Sequence, residues 1–334
     1  MDTFRTVIAI IAAISLFVFG LQSFSKEIES IGKERLSKWI GKVTAIPFGG
    51  FVLGAVVTGI IQSSTFVSSM TVSLASAGVL SLKDALLVSL GTNIGNTSTA
   101  WIASFQSSIL GPLFIVIGVA LSMIPARIAT AGKAVFYFGF IFFSLWYIGE
   151  AMEPIKSDPM LIEVLSRAQH PLMGILYGIV ITVIIQSSSV VVGLVIVLLS
   201  QGTLNLETAI PIVVGANIGT TSTALLVSLK LKPMSKLVAM SASTFNLLGV
   251  IITYPFFGLL IQIARNFSSE PGLQVAVAFT ISNTYVSLFF LIILSPFMGL
   301  LKKHRWYQQA MQEQAETEAA TRASTIGAIH EPRH

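Results

Sequence analysis

Two short polar runs lie sunk in apolar sequence at equivalent places in the chain. Gln186-Ser187-Ser188-Ser189 follows an unbroken stretch from Ile179 to Ile185 whose one hydroxyl is Thr182, and it leads straight into Val190-Val191-Val192. Gln62-Ser63-Ser64-Thr65 stands 124 positions earlier, between Ile60-Ile61 and Phe66-Val67. The same offset carries Gly91-Thr92-Asn93-Ile94-Gly95-Asn96-Thr97-Ser98-Thr99-Ala100 onto Gly215-Ala216-Asn217-Ile218-Gly219-Thr220-Thr221-Ser222-Thr223-Ala224. The chain is therefore a duplicated unit with two polar motifs per copy. Apolar residues make up 54% of it, charged residues 10%, and the mean hydropathy is +0.83, which marks a polytopic all-α membrane protein. An unpaired hydroxyl, amide or backbone group in lipid costs about 2–7 kcal/mol. The polar runs must line a site, a cavity or a helix interface.

The first apolar segment, Val7 to Leu21, has the length of a signal sequence, but Lys26-Glu27-Ile28-Glu29 follows it rather than a small-residue cleavage site, so it reads as a retained span. There is no cysteine, which excludes disulfides, thiolate nucleophiles and Cys-ligated metals. The net charge of +5 reflects loop residues and needs no nucleic-acid partner; in a membrane protein it reports which loops face the cytoplasm.

Apolar runs of crossing length fall near Thr6–Phe24, Leu110–Ile124, Ala134–Ala151, Leu237–Ala264 and Leu273–Leu300. Two more, 83–105 and 207–229, carry the Gly-x-Asn-x-Gly pattern at their centre. Mid-helix glycine costs roughly 1 kcal/mol against alanine, so both are expected to be broken helices. The stretch from Pro47 to Ile61 would be ~22 Å long as a helix, short of a ~30 Å hydrocarbon core. It is followed by a polar tip and a second apolar run. Re-entrant hairpins are therefore expected over 47–78 and 171–202, a continuous span through each tetrad being the alternative. Aromatic clusters such as Phe136-Tyr137-Phe138 and Trp146-Tyr147 are expected at the lipid face or the interface.

Loop charge alternates along this layout. Lys26, Lys33, Arg35, Lys38 and Lys42, then Arg127 and Lys133, then Lys230, Lys232 and Lys236, then Lys302, Lys303 and Arg305 fall on one side, and neutral or acid-tinged loops fall on the other. By the positive-inside rule the N-terminus lies outside and the C-terminus in the cytoplasm, with about seven crossings. Three crossings separate corresponding parts of the copies, so the second is inverted relative to the first. The expected organisation is a first inverted repeat over 1–124, a second over 125–300 and a cytoplasmic tail over 301–334, with a surface helix from Trp306 to Arg322. Inverted repeats with discontinuous helices are transporter architecture, with the site at the repeat interface near the midplane.

A hairpin tip sets the N-terminus of its second half-helix at the polar run, and this favours an anion. Serine and threonine hydroxyls donate to phosphate or carboxylate oxygens. They also offer oxygens to Na⁺, together with Gln62, Gln186, Asn93, Asn217 and unwound carbonyls. No Arg or Lys is expected in any span near these motifs, and two helix ends supply only about one positive charge, so cation coupling is the expected remedy. Phe245-Asn246 is a lone amide in apolar sequence, with packing and site support both open.

Gln-Ser-Ser-Thr/Ser in two copies, each followed by Asn-Ile-Gly-x-Thr-Ser-Thr-Ala, resembles the sodium-dependent phosphate cotransporter family, the type II Na⁺/phosphate symporters and their bacterial relatives. The resemblance covers roughly Thr6 to Leu300. It implies Na⁺-coupled symport of inorganic phosphate by alternating access. Ser63, Ser64, Thr65, Ser187, Ser188 and Ser189 would take phosphate; Gln62, Asn93, Thr97, Gln186, Asn217 and Thr221 would take sodium. No cofactor or transition metal is implied beyond Na⁺ as the coupling ion. The sequence departs from the pattern at Thr65, which keeps the hydroxyl but adds a methyl. The tail is also too short for the soluble helical domain that many bacterial relatives append. The expected location is a plasma membrane, leaning to a bacterial inner membrane, with a homodimer among the open oligomeric states.

Two other substrate or transport readings stay open on the residues alone: another oxyanion such as sulfate or a dicarboxylate, and a passive anion channel. An intramembrane hydrolase fares worse. A serine nucleophile needs a positioned base, whereas the four histidines are His170, at a membrane boundary, and His304, His330 and His334, beyond the last span.

Overall fold

A computed structural model describes residues 2–43, 46, 48–105, 107–124, 127–156, 158–159, 163, 170–303, 305, 307–313 and 315–316. Pro47, the repeat boundary at 125 and most of the tail, including parts of Trp306–Arg322, lie outside the described residues. All regular structure among the described residues is helical. Five segments, Phe4–Ile31, Ala129–Ile155, Leu206–Ser228, Pro233–Phe267 and Pro271–Lys303, are long and apolar enough to cross a bilayer. The chain is an all-α polytopic membrane protein.

The first copy opens with α1 (Asp2–Val43). No glycine or proline interrupts it from Leu21 to Ile31, so it runs through Lys26–Glu29, where a loop was expected. Its 42 residues reach ~63 Å, about twice the hydrocarbon core. Then come α2 (Gly49–Ile61), α3 (Ser64–Ser76), α4 (Leu82–Gly95), α5 (Ser98–Ser104) and α6 (Leu110–Ser122). The second copy holds α7 (Arg127–Met152), α8 (Pro171–Ile185), α9 (Ser188–Ser200), α10 (Leu206–Ser228), α11 (Pro233–Thr253), α12 (Phe257–Phe267) and α13 (Pro271–Lys303). A single 3₁₀ turn with Pro255 joins α11 to α12, since proline cannot donate to the preceding turn. The expected span at Leu110–Ile124 is the thirteen-residue α6, only ~20 Å long.

Each tetrad interrupts a helix, between Ile61 and Ser64 and between Ile185 and Ser188. Leu53 and Val57 of α2 and Val67 and Met70 of α3 line one small apolar cavity. The turn is made by glutamine in the left-handed region, φ 60° at Gln62 and 57° at Gln186. The amide of each closes on a carbonyl four residues back, Thr58 O at 2.8 Å and Thr182 O at 2.7 Å, which ends the first helix. The second helices end on Gly78 and Gly202, at φ 74° and 73°. The following amides reach back to Leu74 O and Leu198 O, a closure that needs a residue without a Cβ penalty.

The glycines of the duplicated motif have a different use from the one expected. A Cβ on Gly91 would stand 2.0 Å from Phe51 O, and one on Gly215 2.3 Å from Ile175 O. A Cβ on Gly54 would stand 2.2 Å from Val88 O, and one on Gly178 2.0 Å from Ile212 O. These are the same contacts at the 124-residue offset. They let the backbones of α2 and α4, and of α8 and α10, run parallel at close approach. The expected unwinding at Gly215 and Gly219 is absent, since α10 is continuous from Leu206 to Ser228. In the first copy the interruption falls later, at Asn96–Thr97. Both residues keep right-handed helical angles, and Thr97 N and Ala100 N make i→i−3 bonds to Ile94 O and Thr97 O. The helix tightens there, and the amides of Thr97 and Ala100 close on Ile94 O and Thr97 O rather than on Asn93 O and Asn96 O.

The copies meet through α1 and α7, which are equivalent at the same offset and pack antiparallel. Phe24 lies against Phe138, ring centroids 5.7 Å apart, and Gly20 against Phe140 and Ile141. Antiparallel packing of equivalent helices is the relation an inverted repeat requires. Phe136, Tyr137 and Phe138 are half-buried beside Phe19, Phe24 and Phe114. The outward stripe is aliphatic: Val52, Val56 and Ile60 on α2 and their counterparts Leu176, Val180 and Ile184 on α8 are all exposed, as suits helices facing hydrocarbon.

Candidate functional site at the two hairpin tips

All eight tetrad residues line one cavity of about 320 Å³, within the range of small-ligand sites. The tertiary structure brings the two tips together. Ser63 and Ser187 are the N-caps of α3 and α9. Their Oγ atoms accept from Phe66 N at 3.2 Å and Val190 N at 3.4 Å, and this leaves each hydroxyl proton free to donate. Ser64, Thr65, Ser188 and Ser189 occupy the first turns, where backbone amides have no carbonyl in their own helix. Two helix N-termini and several hydroxyl donors therefore converge on the cavity.

A buried chain of polar contacts ties the tips across the copies. Gln62 is 5% exposed; its Nε2 donates to Ser98 Oγ at 2.7 Å and to Gly59 O. Thr99 Oγ1 donates to Gln62 Oε1 at 2.8 Å and lies 3.2 Å from Ser189 Oγ. Asn96 Nδ2 donates to Ser188 Oγ at 3.2 Å, and Ser189 Oγ donates to Asn96 Oδ1 at 3.4 Å. Gln186 differs: its side chain is exposed, and its contact across the copies is through its backbone carbonyl, which accepts from Thr65 Oγ1 at 3.5 Å.

The remaining expected sodium ligands stand elsewhere. Asn93, Asn217 and Thr221 line a second, tighter cavity of about 20 Å³ that Ser64 also touches. Thr97 Oγ1 donates to Ile94 O and Thr221 Oγ1 to Ile218 O, both at 2.7 Å and three residues back. Asn93 and Asn217 belong to an amide chain. Asn93 Nδ2 donates to Asn246 Oδ1 at 2.7 Å, Asn246 Nδ2 to Asn217 O at 2.9 Å, and Asn217 Nδ2 to Asn283 Oδ1 at 2.9 Å. Asn246, left open between packing and site support, joins the motif asparagines of the two copies. No group of three or more acidic or imidazole side chains suited to a metal exists among the described residues.

Several participants were missed. Asn96, Ser98 and Thr99 sit inside the recognised motif, and the signal for them was their own polarity in apolar sequence. Asn283 carried the same weak signal. The α1 residues Gln22, Ser25, Lys26 and Glu29 line the large cavity, and nothing local to the tetrads announces them. Lys26 also corrects the expectation that no basic residue in a span approaches the motifs. The charge-deficit argument for cation coupling is weakened to that extent.

The sequence model of the Na⁺/Pi-cotransporter family matches residues 16–150 and 156–266. The uncharacterized protein YqeW of Bacillus subtilis is 28% identical over 297 residues, covering 88% of this chain and 96% of the relative. The putative inorganic phosphate export protein YjbB of Escherichia coli is 26% identical over 296 residues, 88% of this chain but 54% of the relative. The chain thus spans about half the length of YjbB. Human sodium-dependent phosphate transport protein 2C is 35% identical over 135 residues, covering 38% of this chain and 22% of the relative. No solved structure matches. With the match extending over most of its length, the chain belongs to the Na⁺/Pi-cotransporter family.

Proposed function

We propose that this protein is a secondary active transporter that moves inorganic phosphate together with Na⁺ by alternating access. The site is the space between the two hairpin tips, at the interface of repeats spanning 1–124 and 125–300. The observation that carries this reading is the convergence of both tetrads on one cavity, each tip presenting a helix N-terminus and hydroxyl donors, which together suit an oxyanion. Ser63, Ser64, Thr65, Ser187, Ser188 and Ser189 hold the phosphate. Gln62 and Gln186, with Asn93, Asn217, Thr97 and Thr221 behind them, form the sodium-responsive set. The protein sits in a plasma membrane, in the bacterial case the inner one, with the N-terminus outside and the basic loops in the cytoplasm. In that orientation the large cavity opens toward the cytoplasm. Labelled phosphate should enter proteoliposomes faster under an inward Na⁺ gradient than under K⁺, and equal rates would sink the coupling.

A second reading is favoured by one comparison: YjbB is named for phosphate export, and a cytoplasm-facing cavity is where an exporter loads. Phosphate-loaded vesicles separate the two. Efflux that proceeds at full rate without sodium on either side supports uncoupled export and counts against symport.

A further inference from the structure

We propose that Lys26 of α1 is a substrate-binding residue whose ammonium supplies fixed positive charge to the anion held between the tips. The proposal rests on the reading of that cavity as an oxyanion site. Because α1 continues unbroken past its apolar stretch, it carries charged residues alongside the tips. Ser25 pins it there: it is 6% exposed, and its Oγ donates to Ile61 O at 2.8 Å, the last residue of α2 before Gln62. With that contact made, Gln22, Lys26 and Glu29, which share a helix face at three- and four-residue spacing, line the same cavity as both tetrads.

Lys26 is exposed and pairs with no carboxylate among the described residues. Glu29, one turn on, lines the cavity too and is engaged in an interaction of its own. Lys26 falls inside a candidate span, Phe4–Ile31, where an ionisable side chain is costly unless it faces a cavity, and Lys26 lines one. The arithmetic of charge points the same way. Two helix N-termini offer about one positive unit, which leaves a doubly charged oxyanion about one unit short, and Lys26 supplies a positive charge on a lining that also carries the Glu29 carboxylate. A lysine is a point charge on a flexible stem, able to follow an anion as the tips move around it.

The chain has no cysteine, so Lys26→Cys places a single thiol at the cavity. One preparation of that variant in proteoliposomes can be compared unmodified, after aminoethyl methanethiosulfonate, which restores an ammonium, and after sulfonatoethyl methanethiosulfonate, which installs an anion. The unmodified variant should show a half-saturating phosphate concentration raised about tenfold, equivalent to about 1.4 kcal/mol. The ammonium should bring it most of the way back, and the sulfonate should push it higher still, with maximal rates little changed. The spread between the three forms should collapse at ~1 M salt, where the screening length falls to ~3 Å. Equal half-saturation in all three forms, or equal rescue by both reagents, overturns the proposal and assigns Lys26 to packing or to the membrane surface. If Lys26→Cys does not accumulate, Lys26→Arg against Lys26→Gln gives the same comparison: Arg retains affinity and Gln loses it, and identical affinities overturn the proposal. Wild-type protein that carries sulfate but not phosphate would reject the phosphate reading while leaving the Lys26 comparison to be made on sulfate. Wild-type protein that carries no oxyanion rejects both.

Discussion

The first hairpin tip and the second share a sequence pattern, a backbone turn and a capping serine, yet their glutamines live differently. Gln62 is buried and bonded through both ends of its amide to Ser98 and Thr99, while Gln186 presents its side chain to the open cavity. The counterparts of Ser98 and Thr99 are present, as Ser222 and Thr223, and Ser222 Oγ donates to Gly219 O at 2.7 Å as Ser98 Oγ does to Gly95 O, but neither Ser222 nor Thr223 bonds Gln186 among the described residues. The helix that carries them decides this. The first copy tightens at Asn96–Thr97 and presents Ser98 and Thr99 to the tip, whereas α10 is continuous. The duplicated motif differs between copies at two positions, Thr92/Ala216 and Asn96/Thr220. Asn96 is the residue that reaches across to Ser188 and Ser189. The difference teaches that equal motifs supply equal backbone shape, while unequal neighbours set the side-chain state.

The largest effect that tests this comparison is on phosphate affinity. If the proposed site holds phosphate, Ser64→Ala and Ser188→Ala each remove a charge-assisted hydrogen bond worth about 1.5–3 kcal/mol, so the half-saturating phosphate concentration should rise about ten- to a hundredfold in transport assays. Ser188→Ala, which also deprives Asn96 of its acceptor, should lie at the upper end. The double variant should be less than additive, because the two residues share one ligand. Simple additivity, or unchanged affinity in either single variant, would break the shared site and reduce one tetrad to packing.

Next in size is the stability difference between the glutamines. Gln62→Ala deletes a buried amide satisfied at both ends and should cost about 1–3 kcal/mol in detergent unfolding. Gln186→Ala should fall within about 0.5 kcal/mol of wild type. Both should shift the sodium dependence of uptake, since each removes an amide oxygen from the cavity. Equal unfolding costs would mean that the two tips are energetically alike despite their contacts.

The smallest expected change comes from making the copies match. Asn96→Thr puts the second copy's residue in the first and shortens the side chain below the reach of Ser188. It should cost about 1 kcal/mol, the net worth of an ordinary hydrogen bond, and should expose Ser188 to faster modification after Ser188→Cys in an otherwise cysteine-free chain. Unchanged reactivity at position 188 would show that Asn96 does not hold the second tip.

Much of this was legible in the residues because it is local. Apolar length and polar tips define helices interrupted at those tips, and the offset of 124 assigns every element of one copy to its partner. Gly78 and Gly202 mark helix ends by the backbone angle they alone adopt without strain. The glycines at 91, 95, 215 and 219 were misread for a physical reason. A glycine that unwinds a helix and a glycine that admits a neighbouring backbone look the same in sequence, and only the position of Phe51 O or Ile175 O distinguishes them.

By itself, then, the sequence determined an all-helical membrane protein, its two copies, its two interrupted helices and the hydroxyl-rich chemistry at the breaks, since each follows from the cost of polar groups in lipid and from helix periodicity. The tertiary structure alone decided which distant groups meet that chemistry. It set Lys26 of α1 beside tips 36 and 160 positions further along the chain, joined Asn93 to Asn217 through Asn246, and held Gln62 while leaving Gln186 free. Such contacts depend on how helices dock against one another, and docking depends on the summed shape of many apolar surfaces that no single stretch of sequence carries.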